Sequence, residues 1–354
     1  MKNRILVINP GSTSTKLAIF ERNKLIIEGN IAHPLEVIKS YPELWDQFEL
    51  REKSIWEFLN NHNINLNELE AVVGRGGLLK PLPGGTYIVS QQMLGDARTG
   101  LQGQHASNLG CALADVFAQQ AGVNAYTVDP VSVDEFEPLA RYSGHPLIER
   151  RSLSHTLNIH AVGRKAAQHL NVNYNSTNFI IAHLGGGISI CPLHHGRIID
   201  VNDASSSGPF SPERTGELPL QPFIKLCYSE VHSETEMKKL VMGKGGLYAY
   251  LGTANALDVE QKITNGDNKA KEIYQAMAYQ ISKEIGAMAT VIKGDIRAIV
   301  ISGGLTKSNM LIKWIKERVS FIAQVLIFPG EFEMEALAEG VVRVLEGKEE
   351  VRKY

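Results

Sequence analysis

Positions 4–9, 16–20 and 24–27 are rich in apolar and β-branched residues, and mostly polar or turn-forming residues lie between them. The pattern predicts three successive strands, with Glu21-Arg22-Asn23 as the tight turn between the second and third. The first gap reads Asn9-Pro10-Gly11-Ser12-Thr13-Ser14-Thr15-Lys16, a row of hydroxyls closed by a lysine. The same order returns over residues 179–201: apolar run, Gly185-Gly186-Gly187, apolar run, short turn, apolar run. Asn9 precedes Lys24 by 15 positions, and His183 precedes Arg197 by 14. A single copy about 175 residues downstream describes a duplicated domain, not a solenoid array.

Beyond each three-strand start the period changes to that of a helix. Residues 50–60 and 105–120 predict helices, and 71–73 and 124–128 short strands, the latter ending at Asp129-Pro130. In the second half, 268–292, 309–319 and 333–346 predict helices, and 297–301 a strand that ends in Ser302-Gly303-Gly304. Strands alternating with helices define an α/β architecture. The expected division is an N-terminal domain over 1–155, completed by the C-terminal helical segment 333–354, and a C-terminal nucleotide-binding domain over 156–330.

Composition narrows the class. The chain has 354 residues, 44% of them hydrophobic and 21% charged, enough apolar sequence for two cores. The net charge is −2 without a basic block, which argues against nucleic acid or an anionic membrane as partner. No apolar run has membrane-spanning length, and the run at 5–8 is too short for a signal peptide, so a cytoplasmic enzyme is expected. Cys111, Cys191 and Cys227 are too far apart in sequence for a disulfide framework or a zinc site.

Several stretches carry candidate chemistry. The hydroxyl row and Lys16 have more polar groups than a hairpin turn needs, and such turns offer backbone N–H groups to an anion. His183-Leu184-Gly185-Gly186-Gly187 would let backbone approach a ligand; the alternative is a flexible turn beside a satisfied histidine. In Ser302–Asn309 a strand ends in Gly-Gly and leads to a helix whose N-terminus could hold a phosphate or a nucleoside. No G-x-x-x-x-G-K-[ST] motif is present, so this is not a P-loop protein. Arg75 and Arg214 lie in glycine- and proline-rich loops, and are either anion partners or surface residues. Asp129 ends a strand before proline, as a functional residue or a cap. His155 and His160 are five apart and do not share a helix face as zinc ligands would.

Taken in order, "INPGSTSTK", "GRGGLLKPLPGGTY", "HASNLG", "VDPVSVDEFEPLARYSGHP", "RRSLSHTLNIHAVGRK", "IAHLGGGIS", "NDASSSGPFSPERTGELP" and "ISGGLTKSN" resemble the acetate kinase family of acyl kinases over nearly the full length. Two departures point to its butyrate branch: Gly185-Gly186-Gly187 where acetate kinases carry "HLGNG", and "VVGRGG" where they carry "GHRVVHGG". The resemblance implies duplicated ribonuclease H-like domains of the actin-like ATPase fold, each a mixed sheet flanked by helices, with a cleft between them. It implies ATP/ADP and Mg²⁺ as cofactors, a short-chain carboxylate as substrate and a homo-oligomer. By position it implies that Asn9, Ser12, Ser14 and Lys16 form one phosphate-side loop and His183, Gly185, Gly186 and Gly187 the other. Gly303 and Gly304 match the adenosine-side turn. Arg75, Asp129, His155 and Arg214 match the catalytic set, and Asp129 and Glu333 the metal-linked acids, with Glu331 and Glu335 as neighbouring alternatives to Glu333.

The chemistry implied is transfer of the γ-phosphoryl group of ATP to butyrate or a branched relative, reversible to make ATP. A carboxylic acid with a pKa of about 4–5 is ionised at neutral pH and needs no general base. The obstacle is repulsion between two anions, which two arginines, a lysine, histidines and Mg²⁺ would offset. A sugar or polyol kinase of the same superfamily would instead use Asp129 as base and leave the two arginines without a task. A non-catalytic actin- or chaperone-like nucleotide switch would require insertions or a peptide-binding domain, and the sequence contains neither.

Overall fold

The computed structural model describes residues 2–354. Two compact units divide it: the chain up to Asp134 together with Phe332–Tyr354, and Glu135–Glu331.

In the first unit, β1 (Arg4–Pro10), β2 (Ser14–Glu21) and β3 (Lys24–Ala32) form an antiparallel meander. The short α1 (Leu35–Lys39) and then α2 (Phe48–Asn61) follow. Next come β4 (Leu69–Gly74), β5 (Thr86–Ile88), α3 (Gln91–Thr99), α4 (Asn108–Ala121) and β6 (Asn124–Val128). The sheet order is β3-β2-β1-β4-β6-β5, with β4 parallel to both β1 and β6. Leu6, Ile8, Leu17 and Ile19 alternate along β1 and β2 and pack with Ile55 and Leu59 of α2 and Leu113 and Phe117 of α4. Each such aliphatic side chain, buried completely, contributes about 1.5–3 kcal/mol.

The second unit repeats the plan. It begins with α5 (Thr156–His169), then β7 (Asn178–Leu184), β8 (Ile188–His194) and β9 (Arg197–Ile198). The helices α6 (Leu220–Cys227), α7 (Glu234–Val241), α8 (Gly246–Leu251), α9 (Ala256–Thr264) and α10 (Asn268–Val291) come next. The unit closes with β10 (Ala298–Gly303), α11 (Asn309–Val319) and β11 (Val325–Pro329). Its sheet order, β11-β10-β7-β8-β9, matches β6-β4-β1-β2-β3 of the first unit. The internal repeat read from the sequence is thus a repeat of sheet topology.

The sequence reading places the first domain boundary after residue 155, whereas residues 135–155 pack with the second unit. The segment is tied there by the Ile198 amide donating to Glu135 Oε2 at 2.8 Å, the Glu137 amide donating to the Ile199 carbonyl at 3.0 Å, and Arg150 Nη2 lying 2.8 Å from Asp200 Oδ1. The helix after β6 in the chain, α5, packs on β7 and β10. The helix after β11, α12 (Glu333–Leu345), packs on β1, β4 and β6. The strands beneath α12 are distant from it in sequence, so periodicity carries no information about that packing.

Some elements escape the sequence pattern. The strands β5 and β11 and the helix α5 lie outside the expected elements; β5 has only three residues, and in α5 the buried polar residues Thr156, Asn158 and His160 break the apolar pattern. Helix α11 does not start directly behind Gly303-Gly304. A 3-10 turn over Gly304–Lys307 intervenes, held by the Thr306 hydroxyl donating to the Gly303 carbonyl at 2.6 Å. Ser308 then caps α11, its Oγ accepting from the Leu311 amide at 3.0 Å.

Candidate functional site

In the first unit the carboxyl ends of β1, β4 and β6 carry Asn9, Arg75 and Asp129. Because the three strands are parallel neighbours, these residues emerge at one edge of the sheet. The close approach of α4 to this edge depends on two glycines. A Cβ on Gly74 would lie 2.0 Å from the Gly110 carbonyl oxygen, and one on Gly110 would lie 2.2 Å from the Arg75 carbonyl oxygen.

The first turn of α12 brings Glu333 to the same edge. Its Oε1 lies 2.7 Å from Nη1 of Arg75, and its Oε2 accepts from Nδ2 of Asn9 at 2.7 Å. Arg75 Nη1 also reaches Oδ1 of Asn9 at 3.5 Å. Asn9 is buried, and Arg75 and Glu333 are only slightly exposed, so a largely desolvated ion pair is held between a strand end and a helix N-terminus. Of the three acids left open by sequence, Glu333 is the one bound to Arg75; Glu331 belongs to the second unit.

Asp129 is buried with φ of 40°, left-handed backbone for a non-glycine residue. It exchanges two bonds with Gly85: its amide donates to the Gly85 carbonyl at 3.0 Å, and its Oδ1 accepts from the Gly85 amide at 2.7 Å. Backbone held in a sparsely populated region by surrounding bonds marks candidate functional positions.

The hydroxyl row divides between two faces. Ser12 and Thr13 are exposed, and Ser14 and Lys16 share one face of β2, with Lys16 directly opposite Asn9 in the ladder. Thr15 faces the other way, fully buried, with its Oγ1 2.9 Å from Nε2 of His33. His105, quoted in the family motif but given no role from sequence, lies just before α4. One edge of it is open to solvent. The protein mass around it and then the Arg75 guanidinium hold its pKa below the ordinary value, against the opposing pull of Glu333.

In the second unit the candidate residues gather at the β7–β8 turn. His183, buried at the end of β7, has Nδ1 3.2 Å from the Ser302 hydroxyl of the neighbouring strand β10. His155, preceding α5, has Nδ1 2.9 Å from the Ser189 hydroxyl of β8. The two imidazoles lie 4.5 Å apart between ring centroids. Ser189 and Ser302 are the register partners of His183 on either side.

The glycine turn is shaped by Arg214. A Cβ on Gly187 would lie 2.4 Å from Nη1 of that arginine, so the guanidinium packs directly on the glycine. Arg214 Nη1 donates to the Ala204 carbonyl at 2.8 Å. Burial lowers its pKa, partly offset by Glu213 and Asp203. The Ser211 hydroxyl donates to the Gly186 carbonyl at 2.6 Å and accepts from the Arg214 amide at 3.2 Å, tying the arginine's loop to the turn.

Beside this turn a cavity of about 380 Å³ is lined by Gly185, Gly186, Asn255, Gly304, Lys307 and Ser308, among others. Gly303 itself is packed away from it, since a Cβ there would lie 2.3 Å from the Leu184 carbonyl oxygen. Gly304 has open space where a side chain would be. Among the described residues no group of three or more His, Cys, Asp or Glu could hold a metal ion. None of their helices is long and apolar enough to cross a membrane.

A family model described as the acetokinase family matches residues 141–325. The chain belongs to the acetokinase family. It is 48% identical over 355 residues to butyrate kinase 2 of Clostridium acetobutylicum, a match covering 100% of each chain. It is also 48% identical over 351 residues to a probable butyrate kinase 2 of Caldanaerobacter subterraneus subsp. tengcongensis, covering 99% of each. The crystal structure of Porphyromonas gingivalis acetate kinase has the same fold, with a TM-score of 0.78 at 16% identity, over 96% of this chain and 99% of that one.

Proposed function

We propose that the protein is a carboxylate kinase that transfers the γ-phosphoryl group of ATP to butyrate or a similar short-chain acid, reversibly. The observation that carries this reading is the Arg75 guanidinium held by Glu333 and Asn9 at the strand ends. A fixed cation at such a place suits a substrate that is itself an anion. The full-length relationship to butyrate kinases supports the same substrate class.

In the reaction a carboxylate oxygen attacks the γ-phosphorus, an O–P bond forms, and the bond to the β,γ-bridging oxygen breaks, with ADP leaving. The nucleophile is already ionised at neutral pH, so no proton is removed from it. Arg75 and Arg214 offset the negative charge on the carboxylate and on the transferring group. His155 and His183, oriented by Ser189 and Ser302, donate hydrogen bonds to phosphoryl oxygens. Ser12, Ser14 and Lys16 are the phosphate-binding groups of the first unit, and the Gly185–Gly187 backbone that of the second. The cavity beside Gly304 takes the adenosine.

Two carboxylates, Asp129 and Glu333, fit a Mg²⁺ ion that arrives on the nucleotide and keeps phosphate and water among its ligands. They do not fit a resident ion caged by the protein. When bound, Mg²⁺ supplies charge neutralisation at the phosphates. The reading carries a cytoplasmic location, where ATP is available, and a homo-oligomeric enzyme.

The test is to incubate the enzyme with MgATP, hydroxylamine and either butyrate, glucose or glycerol. Hydroxamate formed with butyrate alone is the expected result. ADP release driven by glucose or glycerol, without hydroxamate from butyrate, would replace this reading with the sugar or polyol kinase.

A further inference from the structure

Arg51, in the first turn of α2, is fully buried. Its guanidinium makes four hydrogen bonds. Nη1 donates to the Ser14 carbonyl at 3.0 Å and to the Thr15 hydroxyl at 3.1 Å. Nη2 donates to the Gly11 carbonyl at 2.9 Å and to Oε1 of Gln47 at 3.0 Å. All four acceptors are neutral oxygens. Burial pushes its pKa down to about 10.

A buried cation with only neutral partners is a poor device for stability, because an apolar side chain of similar volume is often as good or better. Its position gives it another use. Two of the carbonyls it holds belong to the hairpin between β1 and β2. A third carbonyl of that hairpin, on Thr13, accepts from the His33 amide at 2.8 Å. Three carbonyls of the turn, on Gly11, Thr13 and Ser14, are therefore held by donors of the protein. The tip of the hairpin, Ser12 and Thr13, stays exposed beyond these bonds, where turn amides and hydroxyls can meet an anion.

We propose that Arg51 is the positioning residue of this hairpin: it fixes the turn carbonyls inward and sets beneath the turn a permanent positive charge whose counter-charge is the phosphate of the bound nucleotide. The proposal rests on the reading that the hairpin meets phosphates. Arg51 touches no substrate. It acts through Gly11, Ser14 and Thr15, and it requires a fork of donors, which lysine cannot reproduce.

The experiment compares wild type with Arg51→Met and Arg51→Lys, measuring the melting temperature with and without MgATP and the kinetic constants for both substrates. Expected for Arg51→Met is a ligand-free melting temperature equal to or above wild type and a MgATP-induced rise that is lost. Its kcat/KM for MgATP should fall about 10- to 100-fold, as misplacement of about 1 Å in a binding element does, while KM for butyrate is unchanged. A folded variant with lower stability but wild-type kcat/KM for MgATP would overturn the proposal and leave Arg51 a structural residue. Should Arg51→Met not fold, Arg51→Lys decides: reduced kcat/KM for MgATP in the folded protein supports the role, and wild-type values overturn it. Failure of the functional reading is separable. Wild type would then make no acyl phosphate from butyrate, while the MgATP-induced shift would still report on Arg51.

Discussion

The guanidinium of Arg75 lies 2.7 Å from the carboxylate of Glu333, although 258 positions separate them in the chain. Asn9 bonds both partners. Three elements, β1, the loop after β4 and the first turn of α12, thus share one charged cluster. Removing either charge alone leaves the other largely buried and without this partner.

Glu333→Gln and Arg75→Ala should therefore be strongly non-additive in a double-mutant cycle. Each single variant should lower kcat by about 10²–10³-fold, and the double variant should be little worse than the poorer single one. Additive losses in steady-state kcat would mean that the pair does not act as a unit.

Arg214→Ala should lower kcat while leaving the fold intact. Loss of a preorganised charge at the transferring group costs about 3–4 kcal/mol, or roughly 10²–10³-fold. Gly187→Ala supplies an independent check, because its Cβ would lie 2.4 Å from Arg214 Nη1 and must displace the guanidinium. The expected result is the same kinetic defect with Arg214 still present. Wild-type kcat in both folded variants would remove Arg214 from the site.

Asp129→Asn retains the shape and the φ of 40°, which asparagine tolerates. Its expected effect is loss of kcat through metal and phosphoryl positioning. The wild-type profile of kcat between about pH 6 and 8.5 should show no limb that the substitution removes, since the substrate is already ionised. A unit slope present in wild type and absent from Asp129→Asn would establish a general base instead.

Stability should decline in acid through His33. Its folded-state pKa lies below the ordinary 6.5, first because of burial and then because of Arg51. The folded protein therefore takes up this proton less readily than the unfolded chain. The contribution is fully present above pH 6.5 and is lost as pH falls through the lowered value. Melting temperatures measured from pH 7.5 down to about pH 5 should fall less steeply in His33→Asn than in wild type. Equal slopes would assign the acid sensitivity to other groups.

The sequence by itself determined the duplicated three-strand starts, the α/β class and the stretches proposed to bear the chemistry. Those features are local. β1, β7 and β8 read as continuous apolar runs because both of their faces are buried, and Gly185–Gly187 records a break between two such runs. Pairings between distant residues were decided only by tertiary structure. Glu331, Glu333 and Glu335 are alike in sequence, and the docking of α12 on β1 and β6 selects Glu333 for Arg75. Ser189 and Ser302 become partners of His155 and His183 because strand register sets them side by side. Arg51 reads as one more charge on an amphipathic helix, and Thr15 as one more hydroxyl in a polar row. Packing of α2 against the hairpin turns both inward, where Arg51 donates to the Gly11 and Ser14 carbonyls and to the Thr15 hydroxyl.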